Sequence, residues 1–239
     1  MLSYPLRTLN AVIAGIFFAM LSVAASGDTE VWRLDLTSES GEVSPEGFSA
    51  WMEREGFQPF SYLIFKRRPK YWRIGPCEAT VPSCLVLQEN DSSSHIVHAF
   101  EPALAVGDAL AVELGYQVKV RPEGASLNRK DKEDAPLRIF LSFQTHEGLR
   151  HLALTESAAH AAGTVVESER EPDTIRYYIL PDRSEAEGYE TSSFSVKTIF
   201  QTVFGPKEPA ELVAIGIKSD SNNVGGESLA YLKTLRLIR

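Results

Sequence analysis

Residues 212–219, LVAIGIKS, and 227–238, ESLAYLKTLRLI, carry the reading of the fold. The first is an almost continuous apolar run of strand length, which predicts a central strand buried on both faces. The second alternates Leu229, Tyr231, Lys233, Leu235 and Leu237 against Ala230, Leu232, Thr234, Arg236 and Ile238. That split pattern suits a strand covered on both sides for part of its length. Between them, residues 220–226 (DSNNVGG) supply turn chemistry, with Asp, Ser and Asn able to bond their own backbone and Gly free to adopt positive φ.

Working outward, the same period of two recurs. VWRLDL (31–36) sets Val31, Arg33 and Asp35 against Trp32, Leu34 and Leu36. SYLIF (61–65), the KRRPK turn and YWRI (71–74) read as a hairpin. LVLQ (85–88), HIVHAF (95–100), ALAVELGYQVKV (109–120), RIFLSF (138–143), LRHLALT (149–155), TVVES (164–168) and TIRYYIL (174–180) read as strands. Gly, Pro, Asn, Asp and Ser punctuate them. About ten short strands without alternating helices predict a mostly all-β protein, an antiparallel β-sandwich or barrel, and not a βαβ fold. One helix is predicted where Val196, Ile199, Phe200 and Val203 form a stripe, capped by Ser192 or Ser193 and ended by Gly205-Pro206. A second, shorter helix is predicted around residues 48–55. The charged stretch 121–136 is predicted to be a mobile loop.

The N-terminus points to export. Residues 1–10 carry one cation, Arg7, and no acid, and residues 11–24 are an apolar run too short to span a bilayer. The run ends in Val23-Ala24-Ala25, small residues at cleavage-site spacing. A signal peptide over 1–25 and one β-sandwich domain over 26–239 are expected, with a periplasmic or secreted location; the alternative is an uncleaved membrane anchor. No later segment approaches spanning length, so no transmembrane segment is expected after cleavage. The formal charge of −8 becomes −9 once Arg7 is removed, which argues against nucleic acid as a partner. Cys77 and Cys84 stand seven apart in an exported chain and are expected to form a disulfide. The rival, a redox pair, lacks both C-x-x-C spacing and a following helix start.

Several pieces together resemble the exported bacterial family known as domain of unknown function 3047. Asp134-Ala135-Pro136-Leu137-Arg138-Ile139-Phe140-Leu141-Ser142-Phe143 is similar to its acidic turn and following strand. Phe200 to Gly205 is similar to its helix ending in Phe-Gly. Val213 to Asn223, followed by Ala230 to Leu235, resembles its closing strand, acidic loop and strand. The similarity runs from about Phe48 to Ile238. Leu152 to Ser157 and Leu232-Lys233 depart from the family's aromatic-rich strand and its Gly-Asp. The resemblance implies a jelly-roll-like sandwich with one or two short helices, similar to galactose-binding modules, and no established activity.

Two places carry candidate site chemistry. Lys66 to Arg73 holds Arg67, Arg68, Tyr71, Trp72 and Arg73, where aromatic faces could stack on sugar rings and Arg forks could grip carboxylate or sulfate. The bland alternative is a solvated hairpin tip. Residues 219–227 offer oxygen donors, with Asp220, Asn222 and Asn223 as ligand contacts and Asp220, Asn222 and Glu227 as a calcium set. Val224 and Tyr231 fall where an EF-hand needs ligands, and a tight turn held by side-chain to backbone hydrogen bonds is the alternative. His95 and His98 point to opposite faces of a strand and cannot share a metal. No G-x-S-x-G or phosphate loop occurs. The expectation is a non-enzymatic binding module for a carbohydrate or acidic polysaccharide, with no cofactor unless calcium. An envelope protein-interaction role is the alternative, and a polysaccharide hydrolase or lyase ranks behind both.

Overall fold

The computed structural model describes residues 28–36, 42–60, 69–77, 83–183, 190–206 and 211–239. The expected signal peptide, strand 61–65, Arg67 and Arg68 lie outside the described residues. Thirteen strands and two helices occur among those described.

The first sheet has the order β11 (Thr191–Ser195), β6 (Ala111–Val120), β13 (Glu227–Ile238), β4 (Cys84–Asn90), β3 (Arg73–Gly75), with β1 (Glu30–Arg33) also paired to β13. The second has the order β2 (Phe57–Pro59), β5 (Ser93–Ala105), β12 (Glu211–Asp220), β7 (Ala135–Thr145), β8 (Gly148–Thr155), β10 (Ile175–Ile179), β9 (Val165–Glu167). β4, β5, β6 and β7 are not neighbours in one meander. β4 and β6 flank β13, while β5 and β7 flank β12. Residues 212–219 and 227–238 therefore lie in inner strands of opposite sheets. This is the jelly-roll-like antiparallel sandwich that the family resemblance implies, apart from one parallel pair, β8 with β10.

Alternation explains what lies between the sheets. Leu212, Ile215 and Ile217 of β12 and Leu137, Ile139, Leu141 and Phe143 of β7 face Val112, Leu114, Leu232 and Leu235 in one core. Helix α1 (Phe48–Arg54) adds Phe48, Trp51 and Met52 to that core, all on one side because they stand three and four apart. Helix α2 (Val196–Phe204) buries Val196, Ile199, Phe200 and Val203. Its cap is Ser195, whose side chain accepts from the Thr198 N–H at 3.3 Å, not Ser192 or Ser193. Those two residues belong instead to the edge strand β11. Gly205, at φ 87°, ends the helix. Cys77 and Cys84 form the expected disulfide, with a Cα–Cα distance of 6.0 Å, tying Cys77 to the first residue of β4. No helix among the described residues is long and apolar enough to cross a membrane.

Stretch 121–136 differs from its expectation as a mobile loop. Leu127 is buried in a second, smaller cluster with Phe140, Ala153, Val166, Ile175 and Tyr177. These side chains stand on the face of the seven-stranded sheet that looks away from the main core. The stretch therefore packs as a cover over part of that face, anchored by its few apolar residues and by the acids at its end.

Candidate functional site

The outward face of the seven-stranded sheet is assembled by register. Lys218 of β12 pairs with His95 of β5 on one side and Arg138 of β7 on the other. Gly216 pairs with Val97 and Phe140, and Asp220 with Ser93 and Ala135. Phe140 then pairs with Ala153, and Ala153 with Tyr177 of β10. Successive alternate residues on four strands thus bring His95, Lys218, Asp220, Arg138, Phe140 and Tyr177 onto one patch. It forms the floor of a cleft of about 400 Å³, walled by Phe60, Arg170, Glu171, Asn222 and Asn223.

The floor is built around a buried carboxylate. Asp220 accepts from Arg138 Nη1 at 3.0 Å, from Lys218 Nζ at 2.6 Å and from the Ala135 N–H at 2.9 Å. Burial by itself would raise its pKa, but Arg138 and Lys218 outweigh that and hold it below the ordinary value. Burial pulls the Lys218 ammonium down, against the pull of Asp220. Arg138 Nη2 donates to the Glu133 carbonyl, and the guanidinium lies 5.5 Å from the Tyr177 ring centroid. The Glu133 carboxylate accepts from Ser168 Oγ at 2.7 Å, from the Tyr177 hydroxyl and from Arg170 Nε at 3.3 Å. Asp134 accepts from the Asn223 and Val224 N–H groups, each at 2.8 Å, and from Asn223 Nδ2 at 3.0 Å. Consecutive acids of the 121–136 cover thus hold both the floor and the turn after β12.

Aromatic rings form the other half. His95 lies with its ring centroid 4.9 Å from Phe60 and 5.2 Å from Phe140. Its Nε2 is buried and has no hydrogen-bond partner. Burial, and then the nearby Lys218, push its pKa down to about 3, so the ring is neutral at ordinary pH. Gly216 makes room for it, since a Cβ at that position would stand 2.9 Å from Nε2. Phe60 remains 41% exposed at the mouth.

The expected site residues divide. Asp220, Asn222 and Asn223 line the cleft. Trp72 does not serve as a stacking face. It is fully buried, packs 6.0 Å from Phe48 and donates from Nε1 to Glu89 at 2.7 Å. The period of two turns Trp72 inward and leaves Tyr71 and Arg73 half-buried on the other side, with Lys70 Nζ 5.0 Å from the Tyr71 ring. The calcium set fits poorly. Both oxygens of Asp220 already take cationic or N–H donors, and Glu227 is an exposed residue paired with Asn90 at the start of β13. The described residues hold no group of three His, Cys, Asp or Glu able to grip a metal. The turn itself is closed by carboxylates from outside it: Asp134 accepts from the Asn223 and Val224 N–H groups, and Asp91 accepts from the Gly226 N–H at 2.5 Å. Sequence reasoning missed Phe60, Glu133, Arg138 and Tyr177. Arg138 alone gave a signal, as a charged residue inside an apolar strand. His95 and His98 do diverge, His98 lying against Trp32 and Phe57.

These features define a two-sheet β-sandwich with a polar, ring-lined cleft on the outer face of its larger sheet. The chain belongs to the family described as "Protein of unknown function (DUF3047)", whose model matches residues 77–236. No curated protein matches the sequence. Among solved structures, it is loosely similar to the xyloglucanase domain of NopAA, a type three effector from Sinorhizobium fredii, in complex with cellobiose. There the TM-score is 0.42 at 10% identity, over 77% of this chain and 94% of that one. A carbohydrate-binding module specific for non-crystalline cellulose, CBM28, gives a TM-score of 0.42 at 12% identity, over 88% and 97%. The family 12 xyloglucanase from Bacillus licheniformis gives 0.36 at 10% identity, over 77% and 98%.

Proposed function

We propose that this is an exported binding module whose ligand is a carbohydrate, taken in the cleft on the outer face of the seven-stranded sheet. The observation that carries the reading is the side-by-side placement of a partly exposed ring, Phe60, and hydrogen-bonding groups of Lys218, Asn222, Asn223 and Ser93 around one cleft. A sugar ring offers an apolar C–H face and a rim of hydroxyls, and binding it needs both kinds of contact together. Export follows from the reading of residues 1–25. Binding is favoured over turnover because the floor groups are committed elsewhere. Arg138 and Tyr177 are 1% and 2% exposed, and the carboxylates of Asp220 and Glu133 each accept three donors.

Calorimetric titration of the purified protein with a panel of oligosaccharides tests this, with Phe60→Ala beside the wild type. One glycan class is expected to bind the wild type and to bind the variant about tenfold more weakly, the value of one stacked ring. A panel without any binding refutes the reading, as does binding that Phe60→Ala leaves untouched.

A further inference from the structure

We infer that the cleft takes an uncharged sugar and discriminates against uronic acids and other anionic glycans. The inference rests on the carbohydrate reading above and deepens it.

Among the described residues, the charge inventory of the cleft is balanced: its lining carries three cations, Arg138, Arg170 and Lys218, and three anions, Glu133, Glu171 and Asp220. The cations are already matched by protein carboxylates. Arg138 and Lys218 both sit on Asp220, and Arg170 sits on Glu133. Two cations on one carboxylate would by themselves leave a positive surplus for a ligand to satisfy. The carboxylate of Glu133 acts on both Arg138 and Lys218, and that of Asp134 lies close enough to Asp220 and Arg138 to be influenced by both. The surplus is therefore met from within the protein.

A ligand carboxylate entering this cleft would shed its hydration without finding an unmatched cation among the described residues, and would approach Asp220 and Glu171. Sugar hydroxyls make the opposite demand. They can donate to a carboxylate edge or accept from Lys218 Nζ and the Asn222 and Asn223 amides without adding charge. The aromatic side of the cleft agrees, because His95 is kept neutral among Phe60 and Phe140 and offers no imidazolium to an anion. At longer range the chain's net charge of −8 repels polyanions.

The test uses pairs that differ only in charge: polygalacturonate, alginate and a glucuronoxylan, each beside its carboxyl-reduced form, in which –COO⁻ has become –CH₂OH. Neutral xylo- and gluco-oligosaccharides join the panel. Affinities are measured calorimetrically on the purified protein at low and high salt, between about 0.1 and 1 M, where the screening length falls from roughly 10 to 3 Å. A neutral member is expected to bind, its charged counterpart at least tenfold more weakly, with the neutral affinity changing less than twofold across the salt range. A uronide that binds as tightly as its reduced form, or whose affinity collapses with salt, overturns the inference. If that uronide binding is lost in Phe60→Ala, the cleft still stands as a glycan site. Failure of every member to bind overturns both readings.

Discussion

Replacing Asp220 by Asn removes the one carboxylate bonded to Arg138 among the described residues while leaving the shape of the floor nearly unchanged. Arg138 has a side chain 1% exposed and Lys218 one 25% exposed, so neither can recover full hydration in place. Asn can still accept from the Ala135 N–H through its oxygen, but its amide group must then face Arg138 Nη1 and Lys218 Nζ, donor against donor. Stranding one member of a buried ion pair costs about 3–5 kcal/mol. In a domain of this size each kcal/mol moves the midpoint by about 2–4 °C, so thermal unfolding should fall by about 6–20 °C. Arg138→Met is the companion change. It removes the charge that Asp220→Asn strands and leaves Lys218 to satisfy Asp220. The double variant should therefore be no less stable than Asp220→Asn alone, with the single effects failing to add. Urea denaturation followed by circular dichroism on the wild type and the three variants measures this. Losses that add to within about 0.5 kcal/mol would mean the two residues act independently. That result, or a cost for Asp220→Asn below about 1 kcal/mol, would refute the account of the floor as one coupled unit.

Other outcomes follow from neighbouring features. Trp72→Phe should cost about 1–3 kcal/mol, because it leaves the buried Glu89 short of a donor, while glycan affinity of the folded variant stays at the wild-type value. An affinity loss there would restore Trp72 to the binding surface. Gly216→Ala should cost about 1–3 kcal/mol and weaken ligand binding together, since the new Cβ meets His95 Nε2 at 2.9 Å and must push the ring. Unchanged stability and affinity would show that the ring does not need that seat. Burial raises the pKa of Glu156 to about 7, against the hydrogen bond it accepts from the Arg183 N–H and its ion pair with Arg121. The folded state then holds a proton that the unfolded state releases near the ordinary carboxylate value of 4.5. Stability on this account is full below that value and declines as pH rises towards 7, with a slope of at most about 1.4 kcal/mol per pH unit. Glu156→Gln should remove that decline in midpoint-against-pH curves, and an unaltered curve would assign the slope elsewhere.

The parts of this protein that could be read from the chain are those with a local cause. Side chains alternate across a strand by the geometry of the pleat, so residues 212–219 and 227–238 announce their burial without knowing their partners. The same is true of the stripe that became α2 and of the two cysteines. The short strands β2 and β11 escaped because a few residues carry too little periodicity, and Ser192 and Ser193 looked like helix caps for want of knowing that β6 lay beside them. The burial of Trp72 was beyond reach for a related reason. Alternation shows that Tyr71 and Trp72 face opposite ways, but not which of the two ways is inward.

The cleft belongs wholly to the tertiary structure. His95, Arg138, Tyr177 and Asp220 come from four strands scattered over more than half of the chain, and become neighbours only when β5, β12, β7, β8 and β10 take their places in one sheet. The same applies to the acids of residues 121–136. As sequence they look like a solvated charged stretch, because hydrophilicity records what a side chain can do in water. Their actual role, with Glu133 bonded to Tyr177 and Arg170 and Asp134 bonded to the turn at Asn223, depends on donors brought from elsewhere in the chain. Local pattern determined that strands would form and which faces each would have. Pairing order and register, which are settled by packing between distant segments, decided which residues share the outer face and therefore what the protein can hold there.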